Sequence, residues 1–286
     1  MKKIKYFLEF IIIIFLFLIF KIMGLKLASF IGGKIGSFFG PFFRSRKLII
    51  SNILKAKPDL SSLEIKMIIH NMWDNYGRIL SEYMFLKKFR NSKFEKNLVI
   101  EGKEILKQIK DNKEPVIFIS GHFSNFELMA MQIEKSGINL SAIYRPLNNI
   151  FLNIIMESLR KKYICKKQIK KGITGIRDSL TLFKNGYSIA LMIDQRVSEG
   201  IKSNLFNRQA LTTTVPAQFV KKFNCKVVPI YIERVNGVNF KIKINTPIIY
   251  PKNTSIEKIT DDLNLWLEKM ILKNPNQWIW SHNRWK

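Results

Sequence analysis

Residues 115–127 read Pro115-Val-Ile-Phe-Ile-Ser120-Gly121-His122-Phe-Ser-Asn-Phe-Glu127. Val116 to Ile119 form an unbroken apolar run closed by Ser120 and Gly121, the pattern of a short strand buried on both faces. Gly121 permits a sharp turn, and the residues that follow, 126–135, have helical texture, with a start near Ser124 or Asn125. A strand, a turn and a helix in that order put His122 on the turn and Glu127 in the first helical turn. On one continuous helix, residues five apart would sit about 140° from each other around the axis, so only the turn lets the two side chains converge.

That pair can act as a general base. A carboxylate holds one imidazole nitrogen and fixes the tautomer, and the other nitrogen takes the proton of an attacking hydroxyl. The helix N-terminus adds unpaired N–H groups where an oxyanion would develop. A purely local reading stands beside it: Ser124-Asn-Phe-Glu127 is also a capping box, Ser-x-x-Glu, which needs no chemistry.

Working outward, strands are predicted at 115–120, 140–144, 187–193, 226–233 and 239–244, the last two joined by a turn at Asn236-Gly237. Helices are predicted at 61–85, 126–135, 147–163, 173–184, 213–222 and 256–272. Strands alternating with helices indicate an α/β domain with polar residues gathered at strand ends. Arg145 and the pair Asp194-Gln195 occupy such ends. The pair can shape a site or simply stabilise a turn.

The amino terminus is different in kind. Met1-Lys-Lys-Ile-Lys5 precedes a run that is apolar from Tyr6 to Phe20 except for Glu9. A bilayer core of ~30 Å needs about 20 helical residues, and residues 6–25 reach that length only by including Glu9 and Lys21. A signal peptide would need small residues at a cleavage site, and Lys21-Ile-Met-Gly-Leu-Lys26 supplies none, so a retained anchor that spans or inserts is expected. Ala28, Gly32, Gly36 and Gly40 then recur every four residues, giving either a small-residue ridge for close helix packing or a loose connector. The expected division is residues 1–45 as anchor and glycine-ridged amphipathic segment, and 46–286 as the catalytic domain. Nine Lys or Arg stand against one acid in the first 50 residues, more of them after the apolar run than before it, which places the domain on the cytoplasmic side.

The formal net charge is +27. It suits anionic partners, although a Lys-, Ile- and Asn-rich coding bias would also raise it. The charge is spread along the chain and no zinc-finger, RRM or helix-turn-helix pattern occurs, so no nucleic-acid partner is expected. Cys165 and Cys225 have no metal or redox spacing and fit a reducing compartment.

Several blocks in order resemble the bacterial lipid A late acyltransferases, the lauroyl/myristoyl acyltransferase family within the glycerolipid and lysophospholipid acyltransferase superfamily. They are Gly121-His-Phe-Ser-Asn-Phe-Glu127, Tyr144-Arg-Pro-Leu-Asn148, Asp194-Gln195, Thr212-Thr-Thr-Val-Pro216 and Pro275-Asn-Gln-Trp-Ile-Trp-Ser-His-Asn-Arg-Trp285. Phe126 stands where many relatives carry Trp. The resemblance implies a mixed sheet flanked by helices, glycerolipid acyltransferase-like, with an N-terminal membrane-anchoring helix. It implies transfer of an acyl chain from acyl carrier protein, or coenzyme A, to a hydroxyl of a lipid A precursor, with a glycerol phosphate, lysophospholipid or other glycolipid as the alternative acceptor. His122 would be the base and Glu127 its partner. Asn125, Arg145, Arg160, Asp194 and Gln195 would contact substrate. No metal or other cofactor is expected. The partners would be acyl carrier protein, an anionic glycolipid and the bacterial inner membrane, with the catalytic domain facing the cytoplasm. His282 and the tryptophans of the last block are expected to be structural, the tryptophans in the core or at the bilayer interface.

Overall fold

The computed structural model describes residues 2–91 and 93–286. The chain opens with two helices, α1 (Lys2–Met23) and α2 (Leu25–Phe39), then α3 (Arg46–Ala56), α4 (Ser62–Glu82) and the short α5 (Leu86–Arg90). From β1 (Leu98–Glu101) onward strands and helices alternate: α6 (Lys103–Asn112), β2 (Ile117–Ser120), α7 (Glu127–Lys135), β3 (Leu140–Tyr144), α8 (Ile150–Tyr163), β4 (Lys167–Lys170), α9 (Ile173–Lys184) and β5 (Ser188–Met192). The hairpin β6 (Ile201–Leu205) and β7 (Arg208–Thr212) interrupts them. α10 (Val215–Phe223), β8 (Val227–Asn236), β9 (Asn239–Ile244) and α11 (Ile256–Lys273) complete the fold.

The main sheet has seven strands in the order β1-β9-β8-β2-β5-β3-β4. β8, β2, β5, β3 and β4 run parallel, while the β8–β9 hairpin reverses direction and takes β1 with it, so the sheet is mixed as expected. β2 lies at its centre and every residue of it is buried. Its run of Ile117, Phe118 and Ile119 is apolar on both faces because helices cover both faces.

The glycine ridge packs. α2 lies against α4, and Ala28, Gly32 and Gly40 are buried in the contact. A Cβ on Gly32 would stand 2.6 Å from Ser81 Oγ, and one on Gly77 of α4 would overlap the Gly32 carbonyl. Glycine is therefore needed on both helices for their backbones to meet. Phe17, Phe20, Leu25 and Ala28 belong to the same continuous core as the sheet, so the first 45 residues are packed onto the rest of the chain.

Gly36→Leu is expected to wedge α2 off α4 and cost about 1–3 kcal/mol. Lys34→Leu, on the exposed side of α2, is expected to leave stability nearly unchanged. Thermal melts of the detergent-solubilised full chain compare the two.

Candidate active site

β2 and β5 are parallel neighbours with Ser120 opposite Met192, and Ile193 N–H donates to the Ser120 carbonyl at 2.9 Å. Carrying that register two residues past the strand ends sets His122 beside Asp194. The backbone N–H of His122 donates to Asp194 Oδ2 at 2.7 Å, and the ring Nδ1 lies 2.8 Å from Asp194 Oδ1. Trp278 Nε1–H donates to Oδ2 at 2.9 Å. An ionised carboxylate only accepts, so Nδ1 carries the proton and Nε2 is left as the basic nitrogen.

Burial opposes the charge on Asp194, but the charge of His122 and the hydrogen bonds from His122 and Trp278 outweigh it, holding the carboxyl below its ordinary range. Burial likewise opposes protonation of His122. The charge and hydrogen bond of Asp194 outweigh it, Glu127 adds in the same direction and Arg160 opposes, so the imidazole is raised above its ordinary value. The ring retains 20% of its side-chain exposure, while Asp194 beneath it has none. Phe126 meets the ring edge-on at 4.8 Å.

Glu127 is not the carboxylate on the ring. It is the first residue of α7, and its Oε1 accepts from Arg160 Nε at 2.9 Å and from Arg160 NH2 at 2.5 Å, as well as from the Tyr83 hydroxyl. Its charge still reaches His122, but its hydrogen bonds are with a cation delivered by α8. Burial works against the Arg160 charge, and Glu127 and Tyr83 more than compensate, so the guanidinium stays protonated. The capping box is not formed either. Ser124 is held at φ 44° outside the helix, its Oγ is buried without a partner, and α7 starts three residues later.

The other expected site residues divide. Asn125 is only 1% exposed and gives Nδ2–H to Glu82 Oε2 at 2.8 Å, which braces the turn. Glu82, fully buried, is paired with Arg234 at 2.6 Å and also accepts from Ser29 of α2 at 2.7 Å. Arg145 is exposed just beyond β3, at the same end of the sheet as His122. Gln195 is half-buried beside Asp194. Cys165 and Cys225 are buried, which pushes both thiols up to about 12 and makes them poor nucleophiles.

The carboxyl-terminal block holds the site from below. Ser124 N–H donates to the Gln277 carbonyl at 3.0 Å, and the Gln277 amide exchanges two bonds with the backbone of Arg234. Asn52 of α3 donates to the carbonyls of Trp280 and His282 at 2.9 and 2.8 Å. Arg284, fully buried, donates to Thr212 Oγ1 at 2.6 Å, joining two of the sequence blocks. His282 accepts from Arg196 N–H through Nε2, and burial pushes it down to about 4, so it is a neutral structural acceptor. Trp278 and Trp280 pack edge to face at 4.7 Å inside the core rather than at a bilayer interface. The sequence carries no local signal for Asn52 or the indole of Trp278 as supports of the site, since their partners are distant in the chain. Among the described residues, no group of three His, Cys, Asp or Glu side chains is placed to hold a metal ion.

The family model described as bacterial lipid A biosynthesis acyltransferase matches residues 1–286. The chain is 22% identical over 255 residues to lipid A biosynthesis acyltransferase 2 of Shigella flexneri, covering 86% of this chain and 80% of that one. It is 22% identical over 251 residues to the lipid A biosynthesis lauroyltransferase of Escherichia coli K12, covering 85% and 79%. Among solved structures, the 1-acyl-sn-glycerophosphate acyltransferase PlsC of Thermotoga maritima aligns over 89% of this chain and 96% of its own, at 14% identity and a TM-score of 0.42.

The chain has three histidines, so selective labelling resolves each ring. His122 is expected to titrate above its ordinary value of 6.5. In Asp194→Asn, burial prevails over the remaining charges and the midpoint is expected to fall below 6.5. Histidine NMR titration of both proteins measures the shift and its sign.

Proposed function

The chain belongs to the bacterial lipid A biosynthesis acyltransferase family, and from that membership and the His122–Asp194 geometry we propose that it transfers a fatty acyl chain from a carrier thioester to a hydroxyl of a lipid A precursor. The observation that carries the mechanism is the imidazole fixed through Nδ1 on a buried carboxylate with its other nitrogen left basic. The acceptor hydroxyl gives its proton to His122 Nε2 as its oxygen bonds to the thioester carbonyl carbon. The resulting oxyanion lies against the N-terminus of α7. Collapse breaks the C–S bond, and the imidazolium returns the proton to the departing thiolate. Atoms balance without an acyl-enzyme, a metal or a redox partner.

In this reading Asp194 orients and stabilises the imidazolium, and Glu127 acts through Arg160, setting that cation at the edge of the site. Acyl carrier protein, an acidic protein, is the proposed donor. Lys161, Lys162, Lys166, Lys167, Lys170 and Lys171 are exposed along the end of α8 and β4 and give a basic face for it. Arg145 is the proposed contact for a phosphate of the acceptor or of the donor's pantetheine arm. The proposed location is the bacterial inner membrane, with the catalytic domain on the cytoplasmic side.

Incubation with acyl carrier protein thioester and a tetra-acylated lipid A precursor is expected to give acylated product. Transfer to a lysophospholipid or glycerol phosphate with none to that precursor would replace the acceptor. His122→Ala and Asp194→Asn are each expected to lower kcat by about 10²–10⁴-fold. Glu127→Gln is expected to cost about 3–5 kcal/mol of stability as well as activity, because it strands Arg160. Full transfer by His122→Ala would refute the mechanism.

A further inference from the structure

One of the two ring nitrogens of His282 has no hydrogen-bond partner among the described residues. The block that carries this ring touches the catalytic centre at two points. Gln277 accepts from Ser124 N–H at 3.0 Å, and Trp278 donates to Asp194 at 2.9 Å. Four residues past that tryptophan, His282 Nε2 accepts from the backbone N–H of Arg196 at 2.9 Å, two positions beyond Asp194. Asn52 fixes the backbone here by donating to the His282 carbonyl at 2.8 Å. The ring is thereby anchored beside the end of β5, while His122 follows the end of β2, and these strands are parallel neighbours about 5 Å apart. The charges that reach the ring include those of Asp194 and His122.

The bond from Arg196 decides the tautomer. A ring nitrogen that accepts a backbone N–H carries no proton, so Nε2 is bare and the proton of the neutral ring sits on Nδ1. Burial, which pushes His282 down to about 4, keeps a second proton off at neutral pH. Unlike the indole of Trp73 or the hydroxyl of Ser124, Nδ1–H is not sealed from solvent, and the ring is half-buried. A donor of fixed orientation is therefore left open beside the base. Its chemistry selects its acceptor. It brings no charge to a phosphate, for which Arg145 and Lys171 stand directly past β3 and β4. It suits a carbonyl oxygen that gains charge during reaction, because a neutral imidazole polarises such an oxygen without a charge of its own. His282 does not compete with His122 as a base, since Arg196 N–H occupies its only bare nitrogen.

We infer that His282 is a second catalytic residue, whose Nδ1–H donates to the carbonyl oxygen of the acyl thioester and holds the oxyanion formed as the acceptor hydroxyl attacks. The N-terminus of α7 supplies the other donors. No proton leaves His282. Its hydrogen bond strengthens as charge builds on the oxygen and weakens as the C–S bond breaks. The inference rests on the thioester donor in the reading above, and not on the identity of the acceptor.

Two substitutions in the detergent-solubilised full chain separate the ring's nitrogens. A glutamine amide reaches the place of Nε2, and an asparagine amide the place of Nδ1. His282→Gln keeps an acceptor for Arg196 N–H and removes the donor. It is expected to melt near the wild-type temperature and to lose about 10²-fold in kcat, with KM for the thioester little changed. His282→Asn keeps the donor and gives up the brace, so it is expected to melt lower yet retain more kcat than His282→Gln. Full kcat in His282→Gln, or the reverse order of the two variants, overturns the inference. A second arm needs no variant and uses the wild-type chain labelled with ¹⁵N-histidine. An unreactive acyl ketone, with CH₂ in place of the thioester sulfur, is compared with the thioether that lacks the carbonyl, each offered on acyl carrier protein and on coenzyme A. The ketone is expected to shift the His282 Nδ1–H resonance and the thioether to leave it in place, while both shift His122. Movement of His282 alike with both probes, or of His122 alone, overturns the inference and leaves the thioester reading intact. Neither ring moving with any probe overturns that reading and the inference with it.

Discussion

The buried carboxylate of Asp194 is where the molecule converges. It has no exposure, yet it is ionised because three N–H groups surround it: the backbone and ring of His122 and the indole of Trp278. An unpaired charge at such a place would be expelled or neutralised, so each donor is required by the others. The β2–β5 register brings His122 to it, and the carboxyl-terminal block brings Trp278. The last element of the chain is thus an integral wall of the site, tied down by Asn52, Thr212 and the backbone of Arg234.

A second buried charge network joins α2 and α4 to the same turn. Glu82 accepts from Ser29 of α2, from Asn125 of the turn and from Arg234 of β8. Glu127 and Arg160 repeat the arrangement between α7 and α8, with Tyr83 as the third member. Because α4 supplies Glu82 and packs on α2 through paired glycines, the turn that carries His122 is positioned relative to the surface that α1 and α2 present.

Much of this was legible in residue order. The bounds of β3, α9 and β9 coincide with the expected ones, and β2 and β5 differ by a residue or two, because each element has a clear period or apolar run bounded by turn signals: alternation in β9, helical spacing in α9 and apolar runs in β2 and β5. β1, β4, β6 and β7 carry no clear strand signal in the sequence. Lys167-Gln-Ile-Lys170 at the sheet edge has one apolar residue in four, and the β6–β7 hairpin is largely polar because it stands outside the main sheet. His122 was legible from its place after a strand. Its carboxylate was not, since spacing favours Glu127, five residues on, and Asp194 is adjacent only through strand order. The usable signal was that both residues stand two positions past an apolar strand, which pairs them if those strands are parallel neighbours. Ser124 misled because a capping pattern describes a helix start that the left-handed backbone there displaces.

The claim that Asp194, and not Glu127, holds the imidazole is tested most directly by the Nδ1 proton of His122 itself. In protein labelled with ¹⁵N-histidine, a hydrogen-bonded Nδ1–H resonance of His122 is expected to persist in Glu127→Gln and to vanish in Asp194→Asn. Its loss in Glu127→Gln with survival in Asp194→Asn would contradict the account.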